Sequence, residues 1–293
     1  MTETVTGFSI VDKPAQLTSH DVVARMRRLA GTRKVGHGGT LDPMATGVLV
    51  IAVGRVTRLL TFVTGCDKAY DATIRLGQAT VTDDAEGDVT ATADTAGVTD
   101  TAIAEAIAVM QGTVKQVPSA VSAVKVDGKR AYKRVRDGEE VALAAREVTI
   151  SRLDIQAVRR NEHLEVDISV DCSSGTYVRA IARDLGEALG VGGHLTALRR
   201  TRVGGFGIDE ALSLEELADR SSPVTHSTYE TVRRLMPIRR VDAAEATTVS
   251  HGGRLPANDL APRYAVVDPE GTVVAVMTEQ GPTARPEVVL APA

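Results

Sequence analysis

The strongest constraint on the fold is an unbroken apolar run at residues 48–53, which directly follows a glycine-rich loop. Four of its six residues are β-branched and Gly54 ends it, which predicts a short strand buried on both faces. A buried helical turn would show the same pattern, so periodicity alone leaves that alternative open. We expect this segment to anchor the hydrophobic core.

The loop before this strand, residues 36–47, presents an aspartate on a stiffened backbone. Three glycines fall within four residues and allow conformations and close approaches that side chains forbid. Pro43 moves the preceding Asp42 out of the helical region. An aspartate before proline is, by itself, more often a turn or cap residue than a catalyst. The spacing therefore leaves both interpretations open.

Hydrophobic periodicity predicts the elements on either side of this loop. Ser19 is expected to cap a helix that buries Val22, Met26 and Leu29 and stops at Gly31. Ser213 and Glu216 form a capping box for a later short helix. The remaining predictions are strands at residues 7–12, 68–77 and 164–170 and helices at about 100–111 and from about 176.

Charge is segregated along a chain whose net charge is −4. Residues 115–136 hold seven Lys and Arg against one Asp, whereas residues 83–105 hold seven carboxylates and no basic side chain. The basic stretch contains an Asp127-Gly128 hairpin signal and suits contact with nucleic acid, although an ordinary solvated loop stays possible. The acidic residues 83–88 are expected to form a solvated turn.

Length and composition bound the class of protein. With 293 residues and 43% hydrophobic content, the chain can fill one large and one small domain. Six of the eleven prolines lie between residues 256 and 292, and the end of the chain is expected to be a small β-rich module. Cys66 and Cys172 are expected to be small buried residues. No segment has the composition of a membrane span or signal peptide, which favours a soluble cytoplasmic protein.

Five ordered blocks resemble the TruB family of tRNA pseudouridine synthases. They are Asp-Lys-Pro at 12–14, Gly-His-Gly-Gly-Thr-Leu-Asp-Pro at 36–43, Lys-Ala-Tyr at 68–70, Cys-Ser-Ser-Gly-Thr-Tyr-Val-Arg at 172–179 and Leu-Arg-Arg at 198–200. The resemblance implies an isomerase that converts uridine 55 in the T loop of tRNA to pseudouridine without metal or cofactor. The partner would be tRNA through its T arm, with no membrane contact, and we expect a monomer.

The resemblance also implies the fold. It is α+β, with a mixed, largely antiparallel central sheet and flanking helices (the pseudouridine synthase fold), plus a small C-terminal PUA-like domain. We place the catalytic domain at residues 1–237, with an inserted basic thumb near 115–145, and the PUA-like domain at 238–293. Residues 241–293 hold seven acidic and three basic side chains, which is the wrong charge for RNA contact.

Carried over by motif, Asp42 is the catalytic aspartate. Arg179 is its counter-charge, because a permanently charged guanidinium keeps a carboxylate ionised where water is excluded. Tyr70 would stack on the uracil and assist removal of the C5 proton. The residues that the resemblance assigns to substrate binding are His37, Tyr177, Leu198, Lys13, Lys129, Arg130 and Lys133.

Several other interpretations start from the same residues. A covalent adduct of Asp42 and a ribose rearrangement are both compatible with the sequence. A catalytically idle RNA chaperone would use the same cleft, and the set Asp42, Tyr70 and Arg179 argues against idleness. A serine hydrolase would need a Gly-x-Ser-x-Gly elbow, and a zinc deaminase a Cys-x-x-Cys, neither of which occurs.

Overall fold

The computed structural model describes residues 5–119, 125–126, 129–130 and 143–291. The described residues form two compact units. The first unit runs up to Pro43 and continues with Gly47–Cys66 and with the residues from Arg202 onwards. The second unit contains Met44–Thr46 and the described part of Asp67–Thr201. No limit of either unit falls between residues 237 and 238, where the domain boundary was predicted. That boundary stays a prediction.

The α-helices in the described residues, numbered in chain order, are α1 (Ser19–Leu29), α2 (Leu60–Thr64), α3 (Asp100–Ala108), α4 (Val178–Ala188), α5 (Leu214–Ala218), α6 (Thr228–Leu235) and α7 (Ala243–Ser250). The strands are β1 (Gly7–Lys13), β2 (Val35–His37), β3 (Thr46–Val53), β4 (Lys68–Leu76), β5 (Gln78–Thr80), β6 (Val89–Thr92), β7 (Gly112–Gln116), β8 (Lys125–Val126), β9 (Lys129–Arg130), β10 (Arg146–Arg160), β11 (Leu164–Cys172), β12 (Gly193–Val203), β13 (Phe206–Gly207), β14 (Ile238–Arg240), β15 (Leu255–Pro256), β16 (Arg263–Val267), β17 (Val273–Gln280) and β18 (Thr283–Val289).

The apolar run forms the buried strand β3 of the first unit, which settles its strand-or-helix ambiguity. Strand β3 pairs antiparallel with β1 and, near its end, with β2. Every residue from Gly47 to Val53 is buried. Alternate β3 residues pack with Phe8, Ile10 and Phe206 in one hydrophobic cluster. Burial on both faces explains why the run has no polar alternation.

The C-terminal part of the first unit is β-rich, as predicted. Five strands follow the order β14-β16-β17-β18-β15, with the β14/β16 pair parallel and the other pairs antiparallel. Helix α7 adds Val249 to a second hydrophobic cluster that includes Tyr264 and Met277. The sheet therefore has its own apolar core.

The second unit is built on an antiparallel ladder in the order β4-β11-β10-β7. In β11 the residues Leu164, Val166, Ile168 and Val170 are buried and alternate with partly exposed ones, which confirms the predicted period. Helices α3 and α4 contribute buried apolar residues such as Ile103 and Ile181. The described β8 and β9 pair antiparallel, which confirms the predicted hairpin.

Helix α1 begins differently from the prediction. Its N-cap is Thr18, whose side chain accepts a hydrogen bond from the backbone N–H of Asp21, while the Asp21 carboxylate accepts from the backbone N–H of Thr18. Ser19 is the first helical residue and is buried. The predicted capping role of Ser19 was wrong by one residue, and its hydroxyl has other partners.

Candidate active site

The loop that carries Asp42 connects β2 to β3, and Asp42 itself is half-buried. Its glycines are needed for close approach and for backbone conformation. A Cβ at Gly38 would lie 2.5 Å from a methyl carbon of Val63, and Gly39 has a φ of 101°. The N–H of Gly38 also donates to the carbonyl of Val50, 2.8 Å away. The predicted tight packing of this loop is confirmed.

The backbone on both sides of Asp42 is held by Lys13, Gln16 and Ser19. The hydroxyl of Ser19 accepts from the N–H of Leu41 (2.9 Å) and donates to its carbonyl (3.2 Å). The carbonyl of Pro43 accepts from the backbone N–H of Gln16 (2.8 Å) and from the ammonium of Lys13 (3.2 Å). Asp42 therefore sits between two fixed backbone positions.

Lys13 is fully buried rather than presented to solvent. Besides Pro43, the carbonyls of Pro14 (2.8 Å) and Leu17 (2.6 Å) accept hydrogen bonds from its ammonium. A buried ammonium needs such acceptors because desolvation without them is costly. These contacts tie the end of β1 to the Asp42 loop.

His37 is the last residue of β2, where it lies opposite Ile51 of β3. Its imidazole meets that of His20 edge to face, with the ring centroids 5.5 Å apart. His20 lies in α1, so this ring pair links the helix to the start of the glycine-rich loop. The predicted substrate-binding role of His37 stays a prediction.

Tyr70 lies in β4 of the second unit, opposite Val170 of β11. It is 8% exposed and shares its face with the buried Ala72, Ile74 and Leu76. The predicted alternation of β4 is confirmed. A tyrosine at the end of a buried row can present its ring edge or hydroxyl at the margin of the core.

Tyr177 is the N-cap of α4, and a glutamine side chain holds its backbone. The amide oxygen of Gln116 accepts from the N–H of Tyr177 (2.7 Å), and the Gln116 amide nitrogen donates to the Tyr177 carbonyl (3.0 Å). Gln116 is 3% exposed. Nothing in the sequence around Gln116 indicated this contact.

Arg179 lies in the first turn of α4 and is buried. Its guanidinium donates to the carboxylate of Asp84 (3.1 Å) and to the carbonyl of Thr82 (2.9 Å). Asp84 is 2% exposed and also accepts from the N–H of Glu86 (3.0 Å). The predicted pairing of Arg179 with Asp42 stays a prediction, and Asp84 is a buried partner of Arg179 that sequence reasoning missed.

The acidic stretch is the predicted solvated turn only in part. Glu86 and Asp88 are exposed, as predicted, but Asp84 is buried. Asp83 is buried as well, and Nη1 of Arg183 lies 3.4 Å from its carboxylate. Burial raises the pKa of Asp83, against the opposing effect of the Arg183 charge. A run of acidic residues has the same composition in a solvated turn and in a buried ion-pair cluster, so the sequence carried no signal for this burial.

Leu198 lies on the wall of a cavity of about 640 Å³ in the second unit. Polar side chains of β4 and β11, including Asp71, Thr73 and Asp167, line the same cavity. At its rim Arg199 donates to the hydroxyl of Thr46 (3.2 Å). Neither Tyr70 nor Arg179 is among the lining residues.

The basic thumb falls largely outside the described residues. Lys129 and Arg130 are described only as backbone of β9, and Lys133 lies outside the described part of the chain. Arg183 of α4 donates to the carbonyl of Val117 (2.9 Å), just before this segment. The roles of the three basic residues stay predictions.

Neither cysteine forms a disulfide. Burial raises the pKa of the Cys172 thiol to about 11, so the thiolate that a nucleophile or metal ligand needs is scarce at neutral pH. Cys66 is half-buried, where the sequence predicted burial. Within the described ranges, no three His, Cys, Asp or Glu side chains are grouped so as to hold a metal ion, and no helix is long and apolar enough to cross a membrane.

Comparison with solved structures defines the class of fold. The chain matches one from "Structure of H/ACA RNP bound to a substrate RNA containing 2'-deoxyuridine" with a TM-score of 0.73 at 24% identity, covering 98% of this chain and 85% of that one. A chain of "Crystal Structure of a Cbf5-Nop10-Gar1 Complex" gives 0.74 at 26% identity, with the same coverage. The predicted α+β class, with a β-rich C-terminal part, is confirmed.

Sequence comparison then identifies the family. The family described as TruB family pseudouridylate synthase (N terminal domain) matches residues 27–178, and tRNA Pseudouridine synthase II, C terminal, matches residues 236–291. Proteins named tRNA pseudouridine synthase B from Arthrobacter sp. (strain FB24) and Mycobacterium sp. (strain KMS) are 55% and 54% identical, over 98% of this chain and 97% of theirs. The chain belongs to the TruB family of pseudouridylate synthases, so the predicted family and enzyme class, an isomerase, are confirmed.

Proposed function

We propose that this chain isomerises a uridine of tRNA to pseudouridine and that its target is uridine 55 in the T loop. The observation that carries the reaction is the 55% identity, over 98% of the chain, to a protein named tRNA pseudouridine synthase B. The choice of uridine 55 rests on the five sequence blocks that resemble the family.

The test is mass-spectrometric mapping of pseudouridine on an unmodified tRNA transcript incubated with the purified protein and a chelator. We expect pseudouridine at position 55. Absence of pseudouridine would contradict the proposed function. Pseudouridine at another position would overturn only the choice of uridine 55. Product that forms without the chelator but not in its presence would contradict a metal-free reaction.

The reaction breaks the bond between N1 of uracil and C1′ of ribose and forms a bond between C5 and C1′. The proton on C5 is lost and N1 gains one, so atoms balance without an external reactant. Asp42 starts the reaction as a carboxylate, either by forming a covalent adduct or by triggering ribose rearrangement. The bonds to Leu41 and Pro43 on either side support this role, because a reacting group must be held in an orientation close to that needed for attack.

Arg179 is proposed as the counter-charge that keeps Asp42 ionised when the flipped base excludes water. Its guanidinium has several donors in a rigid planar arrangement, so it can bind two carboxylates. Asp84 and the Thr82 carbonyl fix the position of the guanidinium, which supports a role that depends on its orientation. Asp84 is thus proposed to orient Arg179.

The target base must leave the T-loop stack before it reaches Asp42, at a cost of a few kcal/mol. We propose that Tyr70 then stacks on the uracil and that its hydroxyl assists removal of the C5 proton. His37 would fill the space that the base leaves. Tyr177 and Leu198 would form the remaining walls of the pocket, and Lys13 would act on the Asp42 loop rather than on RNA, because its ammonium is bound to carbonyls.

The RNA-binding surface is proposed to include the thumb and the end of α1. Arg27, Arg28, Arg33 and Lys34 are exposed, and within the described residues none of them forms an ion pair. Strand β2 leads from Lys34 to His37, so these cations lie a few residues from the Asp42 loop. Such cations suit phosphates of a bound T arm.

Neutralising Lys129, Arg130, Lys133 and Arg134 together tests the thumb. We expect weaker tRNA binding and a flatter dependence of log Kd on log salt, with a slope lower by roughly 3–4 for four lost phosphate contacts. A control variant replaces two cations that are exposed elsewhere, Arg220 and Arg254, by Gln. An unchanged slope in the thumb variant would move the RNA surface away from this segment.

A further inference from the structure

Ser19 makes two hydrogen bonds whose purpose is not helix capping. We propose that Ser19 is a positioning residue that sets the direction of the Asp42 carboxylate, an inference that rests on the proposed function. Ser19 is 1% exposed, and its hydroxyl accepts from the N–H of Leu41 at 2.9 Å and donates to the Leu41 carbonyl at 3.2 Å. One side chain thus holds both polar groups of the residue directly before Asp42.

The start of α1 does not need this hydroxyl. The Thr18 hydroxyl caps the helix by accepting from the N–H of Asp21 at 3.1 Å, and the Asp21 carboxylate accepts from the N–H of Thr18 at 2.9 Å. The first turn therefore has a complete capping box without Ser19. The Ser19 hydroxyl connects the helix to a loop 22 residues away instead.

These bonds bear directly on Asp42. The Leu41 carbonyl belongs to the peptide group that ends at the Asp42 nitrogen, so fixing its direction fixes the plane before Asp42. After Asp42, the Pro43 ring restricts the backbone, and the Pro43 carbonyl is held by the N–H of Gln16 and by Lys13. The backbone is therefore restrained on both sides of Asp42.

Of these restraints, that of Ser19 can be removed most cleanly. The Gln16 bond uses the main chain, which survives substitution of its side chain. Lys13 also bonds to Pro14 and Leu17, so its loss would disturb more than the loop. Ser19→Ala removes one oxygen and leaves the helix, its cap and the loop sequence unchanged.

The experiment measures single-turnover pseudouridine formation and Kd on a T-arm hairpin for the wild type, Ser19→Ala and Ser19→Thr. A displacement of about 1 Å at a reacting group costs about a hundredfold in rate, so we expect Ser19→Ala to be 10–100-fold slower. Its Kd should stay within about threefold, since RNA contacts are unchanged. Ser19→Thr keeps the hydroxyl and is expected to recover most of the rate.

Two matched controls separate positioning from stability. Thr18→Ala removes the adjacent helix cap, and Ser9→Ala removes another buried hydroxyl of the same unit, which donates to the carbonyl of Pro223. Both controls are expected to lower Tm by a few degrees and to keep the wild-type single-turnover rate. A rate of Ser19→Ala within twofold of these controls would overturn the proposal, as would a loss confined to Kd.

Hydrogen exchange of the Leu41 amide tests the contact independently of activity. We expect exchange at Leu41 to be at least tenfold faster in Ser19→Ala than in Thr18→Ala. Equal exchange would overturn the proposal even if the rate fell. Absence of pseudouridine formation by the wild type would contradict the proposed function instead, and the exchange result would still show whether Ser19 holds the loop.

Discussion

In each unit, a buried side chain hydrogen-bonds to the backbone close to a residue with a proposed role in the reaction, but the surroundings of these two residues differ. In the first unit, the Ser19 hydroxyl takes both polar backbone groups of Leu41, one residue before Asp42. In the second, the Gln116 amide takes both polar backbone groups of Tyr177, two residues before Arg179. Both supporting side chains are buried and come from a distant part of the chain.

The two units differ in the backbone that comes after each of these supported residues. After Tyr177 the chain enters α4, and the Arg179 guanidinium is itself bonded to Asp84 and Thr82. After Leu41 the chain continues as a loop without regular backbone hydrogen bonding. The backbone of a helix is restrained by its own ladder of hydrogen bonds, whereas a loop depends on the few contacts that other segments make with it. We therefore expect the loss of one hydrogen bond to have a larger effect near Asp42 than near Arg179.

The largest effect is expected for Asp42→Asn. The amide keeps the shape of the side chain but cannot act as a nucleophile or as a charged trigger, so turnover should fall at least 1,000-fold, or about 4 kcal/mol. Single-turnover assays on the tRNA transcript measure the rate, and filter binding measures Kd, which should change by less than tenfold.

A wild-type-like rate in Asp42→Asn would refute the assignment of the carboxylate. Loss of binding equal to the loss of rate would show instead that Asp42 acts in recognition. Retained binding and an RNA-refolding activity without turnover would show that chaperoning is separable from catalysis.

An intermediate effect is expected for Asp84→Asn. The substitution removes one member of a buried ion pair, which leaves the Arg179 charge without its fixed partner. We expect turnover to fall about 10–100-fold, or roughly 1.4–2.7 kcal/mol, and Tm to fall as well. The rate is measured well below the new Tm, where the variant is fully folded.

If Asp84→Asn lowers Tm but leaves the rate unchanged, the pair with Arg179 serves stability alone. That outcome would also break the comparison between the two units, because Arg179 would then need no orientation.

A smaller effect is expected for Gln116→Ala. Helix α4 and the bonds from Arg179 keep most of the geometry when the amide is lost, so we expect a rate loss of about 3–10-fold, less than for Ser19→Ala. Parallel single-turnover assays of the two variants give the ranking. A larger loss for Gln116→Ala would reverse our view of which unit depends more on its supporting side chain.

The smallest effect concerns the pH dependence of stability at Asp83. Burial raises the pKa of this carboxyl above its ordinary value of 3.8, so the folded state holds the proton more tightly than the unfolded chain does. Its favourable contribution is complete below 3.8 and is lost as pH rises through the raised pKa. The wild type should therefore gain stability relative to Asp83→Asn on going from about pH 7 to about pH 3.5.

Urea unfolding of both proteins at the two pH values measures this difference. Glu105→Gln, on the exposed face of α3, controls for loss of a carboxylate elsewhere. A wild type that loses stability relative to Asp83→Asn in acid would mean that the Arg183 contact outweighs desolvation.

The local sequence pattern determined where the buried strands lie and which loop packs closely against its neighbours. The apolar run and the alternation of Leu164–Val170 predicted β3 and β11, because burial of apolar side chains imposes the period of the element. The glycines of residues 36–39 predicted a loop packed closely against its neighbours, as Gly38 is against Val63. The five sequence blocks were sufficient to identify the family, because they match it both in residue identity and in their order along the chain.

Tertiary structure alone decided the partners of the polar residues. Ser19 looked like a helix cap and holds Leu41, 22 residues away; Gln116 holds Tyr177, 61 residues away; Asp84 looked solvated and binds Arg179, 95 residues away. Hydrophobic period is a property of neighbouring residues and is visible in the chain. A hydrogen-bond partner depends on which distant segments the fold brings within about 3 Å, and no local pattern records that.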